Sequence, residues 1–164
     1  SVNFLVGLLV YMLIYVPVTT TYDRIGIQVN TAVAASNARL GVYHPNAVGD
    51  GPGALLTDFG TVATATNGIK EINISQELTP GFYFLSLVRD AEAAVRLRGI
   101  DLTAEMYNTP GSGKMANVGG GSGSVSVQAT TGRAGDVAGG LPATAPAIDG
   151  QMSHEGIGIW LREA

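Results

Sequence analysis

The chain of 164 residues contains no cysteine, which excludes a disulfide framework, a thiolate metal site and a cysteine nucleophile. Charge is also scarce, because only 13% of the residues are Asp, Glu, Lys or Arg, against about 25% in an ordinary domain. The net charge of −4 gives no excess of basic residues, so we expect no nucleic-acid partner. The apolar share of 46% nevertheless argues against intrinsic disorder.

No apolar run reaches the roughly 20 residues that a membrane-spanning helix requires. The run Phe4 to Val16 has 13 residues and is ended by Pro17. It lacks a basic flank and a small-residue cleavage site, so it does not resemble a signal peptide. Its aromatic and β-branched residues predict a buried β-strand, or two strands joined at Gly7. We therefore expect no membrane insertion.

Glycine, by contrast, is abundant, with 23 residues, and this argues against a long helical bundle. Clusters of Pro, Gly, Asn and Asp divide the chain into about eight to ten short segments of β-type alternation. Inward-facing positions predicted in this way are Ile25, Ile27, Val29, Leu40 and Val42. The pattern predicts an all-β fold, namely an antiparallel, jelly-roll-like β-sandwich with long Gly-rich loops.

Three further segments yield local predictions. Asn67-Gly68 is the strongest short hairpin signal in the chain. Pro80-Gly81 has the residues of a type II turn, in which Gly supplies the positive φ. Phe82 to Val88 is apolar at successive positions, which predicts a central strand covered on both faces.

We expect a single β-sandwich domain over residues 1–164, with loop-rich stretches at 108–123 and 131–150. Val125, Val127 and Ala129 alternate with polar residues, which predicts one strand among these loops. Residues 111–123 are predicted to lie at a subunit contact or a distal tip, because glycine allows close backbone approach. Since the first residue is Ser1 rather than Met, we expect either a processed chain or part of a longer protein.

Residues suited to catalysis are few and scattered. His44 and His154 are 110 positions apart and show no metal-ligand spacing. No Gly-x-Ser-x-Gly elbow is present. Lys114 ends a Gly-Ser-Gly-Lys run but is followed by Met115 instead of the Ser or Thr of a phosphate loop. We therefore expect no enzymatic activity, no cofactor and no metal.

Aromatic side chains beside polar ones are the candidates for ligand binding, because sugars stack on flat rings that have polar neighbours. These candidates are Tyr43 and His44 at a strand end, Tyr107 and Asn108 in a loop, and Trp160 in the last strand. Trp160 is predicted to point away from its neighbours Ile157, Ile159 and Leu161. The alternative interpretation is that Tyr43 and Trp160 pack against a neighbouring element or subunit.

A series of short motifs lies between residues 10 and 90. They are Ile14-Tyr15-Val16-Pro17, Tyr22-Asp23-Arg24-Ile25-Gly26-Ile27, Ala38-Arg39-Leu40-Gly41-Val42-Tyr43, Gly51-Pro52-Gly53-Ala54-Leu55-Leu56, Asp58-Phe59-Gly60-Thr61-Val62, Gly68-Ile69-Lys70-Glu71-Ile72 and Leu78-Thr79-Pro80-Gly81-Phe82-Tyr83-Phe84-Leu85. Together they resemble β-sandwich modules of tailed-bacteriophage tail fibres, spikes and receptor-binding proteins. The likeness continues more weakly at Gly140 to Thr144 and Gly156 to Arg162, while residues 100–135 depart from it.

The resemblance implies a non-enzymatic structural component of a phage tail fibre, tail tip or spike that attaches to the host surface. Its expected location is the virion, an extracellular particle assembled in the host cytoplasm. The implied partners are copies of the same chain, commonly as trimers, other virion proteins and host cell-surface polysaccharide. The alternative is a capsid decoration or head-fibre protein with a purely structural role. The resemblance carries over no functional residue.

Overall fold

The computed structural model describes residues 6–90, 95–101, 127–129, 137–146, 150–152 and 155–164. Every regular element within these ranges is a β-strand, and the named strand pairs are antiparallel, so the all-β prediction is confirmed. The strands are β1 (Val10–Val16), β2 (Thr20–Thr31), β3 (Asn37–Pro45), β4 (Pro52–Ala63), β5 (Gly68–Leu78), β6 (Gly81–Arg89), β7 (Arg96–Leu97), β8 (Gly99–Asp101), β9 (Val127–Ala129), β10 (Gly150–Met152), β11 (Glu155–Ile157) and β12 (Ile159–Glu163).

The long strands form two sheets. The six-stranded sheet has the order β10-β9-β1-β6-β3-β4, and the four-stranded sheet has the order β12-β2-β5, with β7 also paired to β2. The pairing is nested, because β1 joins β6, β2 joins β5 and β3 joins β4. One long hairpin folded over on itself produces this order, which gives the sandwich its jelly-roll-like arrangement.

The core between the sheets follows the alternation of the sequence. Ile25, Ile27 and Val29 of β2 are fully buried, as are Leu40 and Val42 of β3, so these five inward positions were correctly predicted. β-Branched and leucine side chains suit a pleated surface, and burying each contributes about 1.5–3 kcal/mol. The core therefore fixes which face of each strand is left outside the sandwich.

A second apolar cluster lies on the outer face of the six-stranded sheet. Residues 137–146, which we call the strap, cross this face and contribute Leu141 to the cluster. Beneath the strap lie Tyr11, Tyr43 and Phe84, all buried. Strand β6 is therefore covered on both faces, as predicted, with the exception of Phe82, which is 42% exposed.

Backbone and carboxylate contacts hold the strap in place. The Leu55 amide donates to the Ala143 carbonyl at 2.9 Å, extending the edge of β4. Asp58 Oδ2 accepts from the Leu141 amide at 3.0 Å and from Arg39 Nη1 at 2.8 Å. Because the two contacts with the strap join residues more than 80 positions apart, the local sequence pattern did not predict them.

Two turns differ from the sequence predictions. Asn67-Gly68 does form a turn, with φ of 108° at Gly68, but it joins β4 and β5 across the sandwich and does not make a hairpin. Gly81 has φ of 157°, far from the roughly 80° of a type II turn, and it too joins strands of different sheets. Turn chemistry marks where the chain reverses, whereas long-range pairing decides which strands become neighbours.

Part of the predicted loop regions is described. Val127–Ala129 form β9, and within residues 131–150 the strap and the first residue of β10 are seen. The predictions for residues 111–123 and for Val125 lie outside the described residues.

The two tyrosines under the strap predict an alkaline loss of stability. Burial raises the pKa of Tyr11 and Tyr43 above the ordinary value of 10.0. The electrostatic interaction with Tyr43 adds a smaller rise to the pKa of Tyr11, and the interaction with Asp58 adds a smaller rise to the pKa of Tyr43. A raised pKa means that the stabilisation is complete below pH 10 and is lost as the pH rises further. We expect the free energy of unfolding to fall above pH 10 by about 1.4 kcal/mol per pH unit for each ring. Denaturant titrations from pH 8 to 11.5 measure this, and an equal slope in the Tyr11→Phe/Tyr43→Phe double variant would contradict it.

Single phenylalanine substitutions should separate the two hydroxyls. Tyr43 Oη donates to the Pro142 carbonyl at 2.9 Å, whereas Tyr11 Oη is buried without a hydrogen-bond partner. We expect Tyr43→Phe to lower the free energy of unfolding by about 1 kcal/mol, and Tyr11→Phe to leave it unchanged or raise it. Urea unfolding at pH 7 provides the measurement, and a larger loss in Tyr11→Phe than in Tyr43→Phe would refute the assignment.

Candidate functional site

The predicted binding residues do not form one site. Tyr43 is fully buried beneath the strap, where its ring stands edge-on to Tyr11 with centroids 5.4 Å apart. His44 is exposed and lies on the opposite side of β3, with its ring centroid 5.7 Å from that of Tyr83. Tyr43 therefore packs against a neighbouring element in this structure, as in the alternative interpretation of the sequence. Tyr107 and Asn108 lie outside the described residues.

Trp160 is placed differently, on the outer face of the four-stranded sheet. Its neighbours Ile159 and Leu161 contact the core, so Trp160 points outward, as predicted. It pairs with Gly26 of β2, and a Cβ built on Gly26 would lie 2.6 Å from Trp160 Nε1 and Cε2. The indole therefore lies on the glycine backbone, which buries Gly26 and leaves Trp160 partly exposed.

Polar side chains surround this ring, and together they define what we call the Trp160 face. Its members share the outward-facing rows of three adjacent strands: Trp160 and Arg162 on β12, Arg24, Gly26 and Gln28 on β2, and Glu71 and Asn73 on β5. Gly26 is directly paired with both Trp160 and Glu71, and Arg24 is paired with both Arg162 and Asn73. Directly paired side chains lie about 4.5–5.5 Å apart at Cβ, so these groups can act on one ligand.

Most charged groups of the Trp160 face are held by partners. Arg162 donates to Asp23 from Nε at 2.8 Å and from Nη2 at 2.6 Å, which is a bidentate pair. Gln28 Oε1 accepts from Arg98 Nη1 at 3.2 Å. Arg24 Nε is different, because it is buried without a hydrogen-bond partner and lies 3.9 Å from Glu71 Oε2.

The ion pair between Arg162 and Asp23 stays charged over the ordinary range of pH. Hydrogen bonding from Arg162 holds the pKa of Asp23 below its usual 3.8, and the same bonds raise the pKa of Arg162. The carboxylate's contribution is therefore present above pH 3.8 and is lost only as the pH falls below that value. Together with Asp23, the Trp160 face thus offers one flat ring with fixed donors and acceptors and two arginines matched by two carboxylates, an arrangement suited to a hydroxylated ligand.

A second aromatic feature was missed by the sequence analysis. Tyr15 of β1 and Phe82 of β6 are 60% and 42% exposed, and their ring centroids lie 4.9 Å apart. Both belong to apolar runs that were predicted to be covered on both faces. The strap covers the outer face over Tyr11 and Phe84, but the Tyr15–Phe82 pair remains open. The strand-pairing register, which the sequence does not reveal, was needed to find it.

The described part of the chain contains no helix long and apolar enough to cross a bilayer. Within the same residues, no three His, Asp or Glu side chains gather as a metal would require. No protein-family model, curated protein or solved structure matches the chain.

Adding a methyl group at Gly26 should displace the indole. Gly26→Ala places a Cβ within 2.6 Å of Trp160, so we expect the ring to move outward, at a cost of about 1–3 kcal/mol. Trp160 is the only tryptophan, so its emission maximum and its quenching by acrylamide report directly on this change. Gly41→Ala is the matched control, because its Cβ would collide with Leu141 of the strap, on the outer face of the six-stranded sheet. An unchanged emission in Gly26→Ala would contradict the described placement of the ring.

Proposed function

We propose that this chain is a non-enzymatic module of a phage virion appendage, such as a tail fibre, tail tip or spike. In this proposal it attaches the particle to host cell-surface polysaccharide, and Trp160 is the centre of the binding surface. Tyr43 is not part of that surface, because it is enclosed beneath the strap. His44 lies on a different sheet from Trp160 and is not assigned to it either.

The observation that carries the proposal is the indole lying on Gly26 among polar side chains of three adjacent strands. A sugar ring presents an apolar face and a rim of hydroxyls, which match a flat aromatic ring beside amides, guanidinium groups and carboxylates. Trp160 is held against the backbone, so little side-chain entropy remains to be lost on binding. Arg24 and Glu71, whose Nε and Oε2 atoms lie 3.9 Å apart, add a partly exposed ion pair at the same surface.

The assignment to a virion is supported by the resemblance of residues 10–90 and by the composition. A charged share of 13% is low for a protein that exposes all of its surface to water. Contacts with other subunits would remove part of that surface from water. Copies of this chain and other virion proteins are therefore the proposed partners.

The alternative is a capsid decoration or head-fibre protein with a purely structural role. The Tyr15–Phe82 pair favours this alternative, because exposed aromatic pairs are typical of the centres of protein interfaces. The pair lies on the six-stranded sheet, whereas Trp160 lies on the four-stranded sheet. The two surfaces can therefore be tested separately.

Removing the indole should weaken attachment strongly. We expect the wild-type chain to bind at least one polysaccharide on an array of purified lipopolysaccharides and capsular polysaccharides. Trp160→Ala should bind that polysaccharide about 30-fold more weakly or worse, as truncation of a central aromatic anchor costs about 2 kcal/mol. Trp160→Tyr, which keeps a flat ring, should retain part of the affinity.

Phe82→Ala is the control, because it removes an exposed aromatic ring from the other sheet and should leave the affinity within about threefold. Circular dichroism of each variant verifies that the fold is intact. Equal binding by folded Trp160→Ala would eliminate this face as the site. Binding to capsid proteins in place of any polysaccharide would favour the structural alternative, and release of free sugar would overturn the non-enzymatic assignment.

A further inference from the structure

Strand β5 has one long edge that no described strand covers. It spans Gly68–Leu78, and in the described part of the chain its only strand partner is β2, along one side. No described strand pairs with the other side of its 11 residues, which include no proline, although the Glu77 carbonyl already accepts from Gln76 Nε2 at 2.8 Å. Such an edge is a template for pairing with a further strand unless charges, bulges or proline obstruct it.

The side chains along this edge are only half covered. Ile72 and Ile74 point inward and pack against the core, yet both remain partly exposed, because the sandwich ends at β5. The exposure alternates without a break from Ile69 to Glu77, even past the register shift at Tyr22–Arg24 in β2. A strand added at this edge would therefore complete the burial of an apolar row that this chain leaves unfinished.

The sequence of β5 is complementary to itself when it is turned antiparallel about its midpoint, Asn73. In that register all eleven residues find partners, and Ile72 lies opposite Ile74 of the second strand. Lys70, which points inward, lies opposite Gln76. Glu71 lies opposite Ser75, so no like charges face each other.

Two neighbouring registers also place inward side chains opposite inward side chains, but their side-chain pairs are less favourable. A shift by two in one direction places Glu71 opposite Glu77, which repel each other. The opposite shift places Lys70 opposite Ile74 and leaves Glu77 without a partner. Register is thus specified by Lys70 and the two glutamates, as charges specify partners in other strand and helix pairs.

We propose that two copies of this chain pair through β5 across a two-fold axis at Asn73. The pairing is isologous, so each copy uses the same patch and the assembly closes as a dimer. The four-stranded sheets then form one continuous sheet of order β12-β2-β5-β5-β2-β12. This two-fold assembly differs from the trimer that the motif resemblance implies.

The other long edge, on β4, is less suited to this role. Its register against β3 shifts at three places, and bulges of this kind obstruct edge pairing. The strap already occupies its first residues, through the Leu55 amide and the carbonyl of Gly53. Within the described residues no strap covers β5, and its sequence contains no proline, so the two-fold contact is assigned to it.

Pairing through β5 would also place two Trp160 faces on one side of the assembly. A two-fold axis perpendicular to the sheet keeps both outer faces on the same side. Five strand spacings and a stagger of four residues separate the two rings by about 25–30 Å. This consequence rests on the proposed function, and it predicts an avidity gain of about 10²-fold on a repeating polysaccharide. The dimer itself does not depend on any ligand.

The register can be tested by cysteine cross-linking, because the native chain contains no cysteine. In Asn73→Cys the two new thiols face each other across the axis, at a Cα distance of about 4.5–5.5 Å, which a disulfide can bridge. We expect most of the full-length protein to form a covalent dimer under mild oxidation. Ile69→Cys and Glu77→Cys are matched controls on the same exposed row, where the two thiols would lie about 27 Å apart. Each control should form no covalent dimer alone, whereas their mixture should cross-link.

Two variants at Ser75 test the same register without a covalent bond. Ser75 is exposed and would lie opposite Glu71 of the second copy. Sedimentation velocity should give a dimer dissociation constant about three- to tenfold weaker in Ser75→Glu and stronger by a similar factor in Ser75→Lys. Circular dichroism verifies the fold of each variant.

A monomeric or trimeric wild-type chain at 100 µM, or cross-linking of Ile69→Cys alone as readily as Asn73→Cys, would overturn the proposed pairing. None of these measurements involves a polysaccharide. A dimer that binds no polysaccharide would refute the proposed function and leave the interface standing. A monomer that binds through Trp160 would do the reverse.

Discussion

In each sheet, a glycine in the outward-facing row of a central strand leaves a gap, and the side chain that fills the gap determines what the outer face can do. Gly41 of β3 is covered by Leu141 of the strap, which closes the outer face of the six-stranded sheet around it. Gly26 of β2 is covered by Trp160 of the adjacent strand, which leaves the face open to solvent. In both places a Cβ would collide with the covering side chain, so glycine is required by packing and not by backbone conformation.

This difference explains why two similar sheets offer different surfaces. Polar groups of the six-stranded sheet help to hold the strap, since Asp58 accepts hydrogen bonds from Arg39 and from a strap amide. On the four-stranded sheet the covering residue comes from within the sheet, and the polar row beside it stays accessible. On this face the Arg24–Glu71 pair stays partly exposed. A recognition surface is therefore expected on the four-stranded sheet.

Sequence periodicity predicted the strand faces well, because the core enforces a strict alternation within each strand. Ile25 and Ile27 were placed inward and Trp160 outward on that basis alone. For Tyr43 the sequence left packing and ligand binding both open, because its cover, Pro142, lies 99 positions away in the sequence. The same limitation applies to Asn67-Gly68, whose turn was predicted although its strands belong to different sheets. Local chemistry thus identifies turns and faces, whereas burial by distant segments decides which aromatic rings stay available.

The edge of β5 and the Trp160 face belong to the same sheet, and this gives them a physical connection. A sheet transmits position rigidly through its hydrogen-bond ladder, so joining two copies at β5 fixes the spacing of their Trp160 rings more firmly than a flexible linker would. Lys70 and Glu71, which set the register of the edge, pair with Ile27 and Gly26 of β2, and Gly26 is the residue that supports the indole. The residues that select the partner strand are thus one strand away from those proposed to bind ligand. A two-fold pair through β5 would make the spacing of the binding rings a property of the sheet itself.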